Sequence, residues 1–357
     1  ISERFTSDSF RLYVDEYRRN SNTAPLLGDA LFPRVKQDSL SMEFMTAEED
    51  TPTVLLPTAF NAEVPLRDRI GVEIVNGKMP FFREGFPIQE TDIRNIMEAN
   101  SSTSQALKDA MRHIYKDSLR LVDGANAVTE RMRMQILAPA NGTPQITINA
   151  NGINQVYNYD PNGRYVANNY MPLSGTSLWT AYATSDPVSD LSDAKDILEG
   201  KGIQATRVVM NKKTFTDLMK SQKIWDYAIN SPGAAVGALF HSPAIAKRVV
   251  SENTGLEILV YNKAFKSENG TLTPFIPDNV AVLIPDGTLG ETRYATTPEG
   301  YRAARGNTTL TTSVVDTGVY VTYVNSNTVP IKEEIVAGQI CLPSYEGMFS
   351  TYTIKTA

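Results

Sequence analysis

From Ser104 to Leu137, apolar side chains recur at every third or fourth position: Leu107, Ala110, Met111, Ile114, Leu121, Val122, Ala125, Val128, Met132 and Ile136. That period places them on one stripe, so the spacing predicts one long amphipathic helix over about 104–137. Ser102 or Ser104 can cap its start, and Pro139 with Asn141-Gly142 enforces its stop; Gly124 is its weak point. On the outer face Lys108, Arg112, Lys116 and Arg120 recur at intervals of four, relieved in part by Asp109 and Asp117. Like charges at that spacing cost a few tenths of a kcal/mol per pair. The column reads either as a solvated face or as a stripe turned toward a polyanion or a partner.

The segments around this helix differ in kind. Residues 1–37 mix aromatics (Phe5, Phe10, Tyr13, Tyr17) with balanced charge, then reach Pro25, Gly28 and Pro33, which break any long helix; this reads as an arm. Residues 38–88 hold short apolar alternations (Met42-Phe44, Val54-Leu56, Val72-Val75) and an Asn76-Gly77 turn signal, the chemistry of a hairpin. Pro52, Pro57, Pro65 and Pro80 interrupt it, and it lacks the apolar face for a core of its own. It is expected to extend outward and to be stabilised by a neighbouring subunit.

Farther along, a polar hairpin is expected around Asp160-Pro-Asn-Gly163. Helix signals at Leu191, Ala194, Ile197 and Leu198, at Phe215 to Trp225 and at Ala244 to Val250 then alternate with strands at Arg207 to Met210, Leu256 to Tyr261 and Val280 to Ile284. Residues 183–305 thus read as an α/β unit with a mixed sheet, and residues 306–357 as β-rich.

With 357 residues the chain is long enough for roughly two domains. Its 34 Lys and Arg against 40 Asp and Glu leave a net charge of -6, which argues against bulk attraction to nucleic acid or anionic lipid. No apolar run is long enough to span a membrane. Ile1-Ser-Glu-Arg carries no basic-then-apolar leader, and an N-terminal segment is expected to have been trimmed or left out.

Reactive chemistry finds little support. The lone Cys341 closes no intrachain disulfide, and with His113 and His241 it makes too few soft ligands for a structural zinc. Cys341 lies in the apolar Gly338–Pro343 stretch, where a buried small hydrophobe is the ordinary reading. His113, four residues from Asp109, reads as a helix-surface pair and His241 as a loop or helix-start residue. Gly200-Lys-Gly202-Ile-Gln-Ala205 follows a helix and precedes a strand, the reverse of a dinucleotide cradle, and reads as a helix stop. The acidic run Glu48-Glu49-Asp50 reads as a solvated or contact-making tip. No catalytic, cofactor or metal residue is assigned; a carboxylate-only enzyme acting on carbohydrate stays open, because its two acids can come from anywhere in the chain.

The stretch from Pro277 to Glu299, PDNVAVLIPDGTLGETRYATTPE, resembles a segment near the end of the axial domain in lambda-like tailed-phage major capsid proteins, the E family. Leu31-Phe-Pro-Arg34, the proline-interrupted hairpin, Glu130-Arg-Met-Arg-Met-Gln-Ile136 and Val208-Val-Met-Asn-Lys-Lys-Thr-Phe215 follow in that family's order, from about residue 28 onward. Ala295 departs from the pattern, where a glycine is expected.

The resemblance implies an α+β chain with the Hong Kong 97-type capsid fold. Its parts would be an N-terminal arm (1–37), an extended β-hairpin loop (38–88), a peripheral domain with a spine helix (89–182 and 306–357) and an α/β axial domain (183–305). It implies a non-enzymatic head protein, without cofactor, that self-assembles into an icosahedral shell around phage double-stranded DNA. The partners implied are hexamers and pentamers of itself, portal, scaffolding and decoration proteins, and DNA held by non-specific contact, in the virion and, during assembly, in the host cytoplasm; no membrane is involved. Val54, Leu55, Leu56, Phe60 and Val64 would supply apolar contact between subunits, and Glu48, Glu49, Asp50, Arg67 and Arg69 would set charge register. Lys108, Arg112, Lys116 and Arg120 would face the shell interior. An encapsulin-type nanocompartment shares the fold and is the first alternative.

Overall fold

The computed structural model describes residues 12–14, 16–17, 19, 25–46, 73–88, 91, 94, 104–150, 152–230, 242–267, 269–305, 310–316, 318–326 and 332–357. In chain order the elements are α1 (Leu27–Leu31), β1 (Arg34–Gln37), β2 (Ser41–Thr46), β3 (Glu73–Lys78), β4 (Phe81–Ile88), α2 (Ser104–Leu137), β5 (Gln145–Ala150) and β6 (Ile153–Asn158). Next come α3 (Arg164–Asn168), β7 (Tyr170–Pro172), α4 (Pro187–Gly200), β8 (Ala205–Met210), α5 (Lys212–Lys220), α6 (Gln222–Asn230) and α7 (Pro243–Thr254). They are followed by β9 (Glu257–Val260), β10 (Ala264–Lys266), β11 (Leu272–Pro274), β12 (Val280–Pro285) and β13 (Thr292–Ala295). The last are α8 (Pro298–Ala304), β14 (Leu310–Asp316), β15 (Val319–Ser326), β16 (Lys332–Pro343) and β17 (Tyr352–Lys355).

Two compact units share the chain. The first takes Ile1–Met42, Asn76–Arg131 and Glu291–Ser344; the second takes Glu43–Val75, Met132–Gly290 and Tyr345–Ala357.

In the first unit the sheet runs β1-β13-β16-β15-β14, with β4 also paired to β16. Val319, Val321 and Tyr323 alternate along β15 and so share one face, which meets Leu119 and Val122 of the long helix together with Ile335 and Ala337 of β16. Period two on the sheet thus interlocks with period three to four on the helix.

Polar contacts fix the register of these layers. The Gln339 side chain donates to the Ala125 carbonyl at 2.7 Å, the Gly28 N–H donates to Glu130 Oε1 at 3.1 Å, and the Tyr294 hydroxyl donates to Thr129 Oγ1 at 3.4 Å. Arg34 donates to Asp29 at 3.0 Å and to Asn126 at 3.0 Å and lies 5.8 Å from the Tyr294 ring centre. The end of the arm is bound in as well: β1 pairs in parallel with β13, from Arg34 opposite Thr292 to Gln37 opposite Ala295, and Leu31 and Phe32 are buried. Gly318 sits at φ +83°, and a Cβ there would lie 2.1 Å from Tyr294 Cδ1, so only glycine fits against that ring.

The second unit is a five-stranded sheet in the order β7-β17-β12-β8-β9. In β12 every residue from Val280 to Ile284 is buried, as befits a strand with neighbours on both edges and layers on both faces. Leu191, Ala194 and Leu198 of α4, Leu218 of α5, Ile224 and Trp225 of α6, and Val249 and Val250 of α7 pack with Val208, Leu283 and Ile354 of the sheet.

The helix starts carry their own signals. Asp186 accepts from the Ser189 N–H at 3.2 Å with Pro187 next in line, Asn211 caps α5 through the Thr214 N–H at 2.8 Å, and Ser242 caps α7. The Gly200–Ala205 string is a helix stop: Gly202 lies at φ +80° and the Ile203 N–H donates back to Leu198 O at 2.9 Å.

Three sequence readings differ from this arrangement. The boundaries at 182/183 and 305/306 do not coincide with those of the compact units: β5 to β7 belong to the second, while β13 and α8 belong to the first. The final strand β17 pairs with β12 and β7 instead of joining the sheet of β14 to β16. Alternation identifies a strand, but partner choice is set by long-range packing that the pattern does not carry. The stretch Asp160–Gly163 is a turn that caps α3, with Asp160 Oδ2 accepting from the Tyr165 N–H at 3.0 Å and the Val166 N–H at 3.3 Å, while the hairpin precedes it as β5 and β6.

Candidate assembly surfaces

The loop residues expected to touch neighbouring subunits, Glu48, Glu49, Asp50, Val54, Leu55, Leu56, Phe60, Val64, Arg67 and Arg69, lie outside the described residues. The stem that carries them is described: β2 and β3 pair with each other as a two-stranded sheet. Met42 and Met79 are buried at its base, where the Met79 N–H donates to Leu40 O at 2.9 Å. Both strands return to one anchored point.

All four basic residues of the predicted column fall within α2, one turn apart. Lys116 and Arg120 are exposed, and Arg120 holds Asp117 at 3.1 Å. The side chains of Lys108, Arg112 and His113 lie outside the described residues, as does His241. Cys341 is buried in β16, 3.7 Å from Thr129 Oγ1.

One surface escaped the sequence reading. On β4, Phe81 and Phe86 are 39% and 38% exposed, and Phe86 lines a cleft of about 470 Å³ together with Arg83, Glu299 and Glu334 among others. Arg83 spans it to Glu299 at 3.1 Å. For Phe81 the signal was present in Met79-Pro-Phe-Phe82, adjacent aromatics that a strand must send to opposite faces.

Titration is perturbed where carboxylates crowd or phenols are buried. In the second unit the Asp190 carboxyl is pushed up to about 6, first by burial and then by Asp186 and Asp193, against the opposing effect of the Trp179 Nε1–H that donates to it at 2.8 Å. In the first unit burial raises the Tyr323 phenol, with Glu333 adding to it. Among the described residues no group of three or more His, Cys, Asp or Glu could hold a metal ion, and no helix is long and apolar enough to cross a membrane.

The described residues thus form a long helix on a mixed sheet, an α/β unit and a two-stranded stem. The family model described as phage major capsid protein E matches residues 15–314. The chain belongs to that family. It is a structural subunit of the phage capsid, it assembles into a multimeric shell, and it is a component of the virion. The fold is α+β and matches the Hong Kong 97-like phage capsid fold.

Among solved structures, a prophage protein of E. coli CFT073 described as a capsid protein is similar over 99% of both chains, with a TM-score of 0.62 and 16% identity. A phage-related protein from Bordetella bronchiseptica RB50 is similar over 99% of this chain and 97% of that one, with a TM-score of 0.53 and 16% identity. No curated protein matches in sequence.

Proposed function

We propose that this subunit forms hexamers and pentamers of an icosahedral shell that encloses packaged double-stranded DNA, and that it does so without a chemical step of its own. The family match over residues 15–314 carries the reading. A physical argument supports it. A loop rooted on a two-stranded stem and rich in Val54, Leu55, Leu56, Phe60 and Val64 gains burial by crossing a neighbour, and closed symmetry multiplies that gain over every copy. Glu48, Glu49, Asp50, Arg67 and Arg69 would then set register between neighbours through charge complementarity.

In this proposal the first unit serves as the peripheral domain and the second as the axial domain. Lys108, Arg112, Lys116 and Arg120 face the interior, toward scaffold or DNA phosphates. Portal, scaffolding and decoration proteins are the partners, and assembly takes place in the host cytoplasm before the shell enters the virion.

The test is the Leu55→Ser, Leu56→Ser double variant, imaged by negative stain and sized by light scattering beside the wild type. Wild-type shells alongside a folded, unassembled variant are expected. Normal shells from the variant would remove the loop from the contact, and wild-type particles that enclose a cargo protein in place of DNA would move the chain to the nanocompartment class.

A further inference from the structure

Between Arg133 and Asp160 the chain contains no Asp, Glu, Lys, Arg or His, in a protein whose charged residues make up 21% of the whole. The hairpin of β5 and β6 occupies the second half of this neutral stretch. Register places Ile146 opposite Tyr157, Ile148 opposite Gln155 and Ala150 opposite Ile153, so these six share one face; Gln145, Thr147, Asn149, Asn154, Val156 and Asn158 share the other. The first face is apolar apart from Gln155 and leaves its cover as it runs outward. Ile146 is fully buried, whereas Ile153, beside the turn, is 49% exposed.

Among the described residues the two strands pair only with each other. A two-stranded hairpin is marginal in water without a further packing layer. Exposed strand edges in soluble proteins ordinarily carry lysine, proline or a like charge that discourages pairing; these strands carry none.

We infer that the apolar face of the β5–β6 hairpin is a subunit contact, seated against a second copy of this chain. Charge decides the occupant. Copies that each carry a net charge of -6 repel one another overall, and a region free of formal charge is where they approach with the least of that cost. A basic partner or nucleic acid would find no carboxylate and no cation here to recognise. The inference rests on the shell-forming reading above and deepens it by naming a contact outside the extended loop.

Ile153→Asp places an uncompensated carboxylate in this contact, and Val156→Asp places the same charge on the opposite face of the same hairpin. Wild type and both variants are assembled at equal concentration and the shell fraction is read by sedimentation, with tryptophan fluorescence confirming a folded subunit. Ile153→Asp is expected to reduce the shell fraction by about tenfold or more, and Val156→Asp to leave it within about twofold of wild type. If Ile153→Asp does not fold, Gln155→Asp, an exposed position on the same face, is measured in its place. Wild-type yield from the Ile153 or Gln155 variant overturns the inference. So does an equal loss in the Val156 variant, which would mark a general charge effect, and so does normal assembly with loss of some other bound protein. Failure of the wild type itself to assemble would strike the shell-forming reading instead.

Discussion

The two units draw on the chain differently. The second is an apolar α/β core in which Trp179, Leu191, Leu198, Leu218, Ile224, Val250 and Leu283 are buried side by side, drawn almost wholly from the one stretch Met132–Gly290. The first assembles three distant stretches and adds buried polar contacts at Glu130, Thr129 and Gln339 to align them. Apolar packing is non-directional and supplies stability, whereas a buried hydrogen bond is directional and costly when mismatched, so it selects one register among several of similar burial. In the second unit that selection is concentrated where the C-terminal stretch joins: Asn169 donates to Phe349 O at 2.8 Å and to Thr351 O at 2.7 Å, and the Tyr165 hydroxyl meets Thr353 Oγ1 at 2.8 Å. In the first it is spread over a core whose parts arrive from positions 34, 126, 294 and 339.

This contrast can be broken by experiment, because both tryptophans, Trp179 and Trp225, lie in the second unit and report on it alone. The largest effect is expected at Gly318. Gly318→Val drives a branched side chain into the Tyr294 ring from a positive-φ position and should destabilise the first unit by about 4 kcal/mol. Amide exchange in β13 to β16 should accelerate while the tryptophan unfolding midpoint stays put; coincident loss of both signals would mean that the units unfold as one.

Next, Leu191→Ala should lower the tryptophan-detected stability by about 3 kcal/mol and leave exchange in β15 and β16 near wild type. The smallest effect is a pH dependence. The Asp190 carboxyl lies at about 6 against an ordinary 3.8, so between those values the folded state binds the proton more tightly than the unfolded chain. Its stabilisation is present below that window and is lost as pH rises through about 6. Asp190→Asn retains an acceptor for Trp179 and should flatten the tryptophan midpoint between pH 4 and 6 by less than about 1 kcal/mol, the carboxyl being partly solvated. An unchanged pH profile would assign the slope to another group.

Local pattern predicted local structure well. The apolar spacing from Leu107 to Ile136 and the stop at Pro139 mark α2, which runs over Ser104–Leu137, and the Gly200–Ala205 string reads correctly as a helix stop. Pairing over long separations was not legible. Nothing in Arg34–Gln37 announces a parallel partner at Thr292–Ala295, and Tyr352–Lys355 alternates like its neighbours in sequence yet joins the other sheet. Among the candidate surfaces, charged columns and loop hydrophobes announce themselves by the residues they contain. The β5–β6 hairpin is marked by missing charge, a signal that a count of what is present passes over.

The place of β17 has a consequence for synthesis. It lies between β7 and β12, so the second unit's sheet stays split until residues 352–355 have left the ribosome. A translation product that stops earlier keeps an empty slot with two raw edges and cannot present a finished surface to its neighbours. In an architecture built from many identical parts, completion of each copy thus waits on its closing strand.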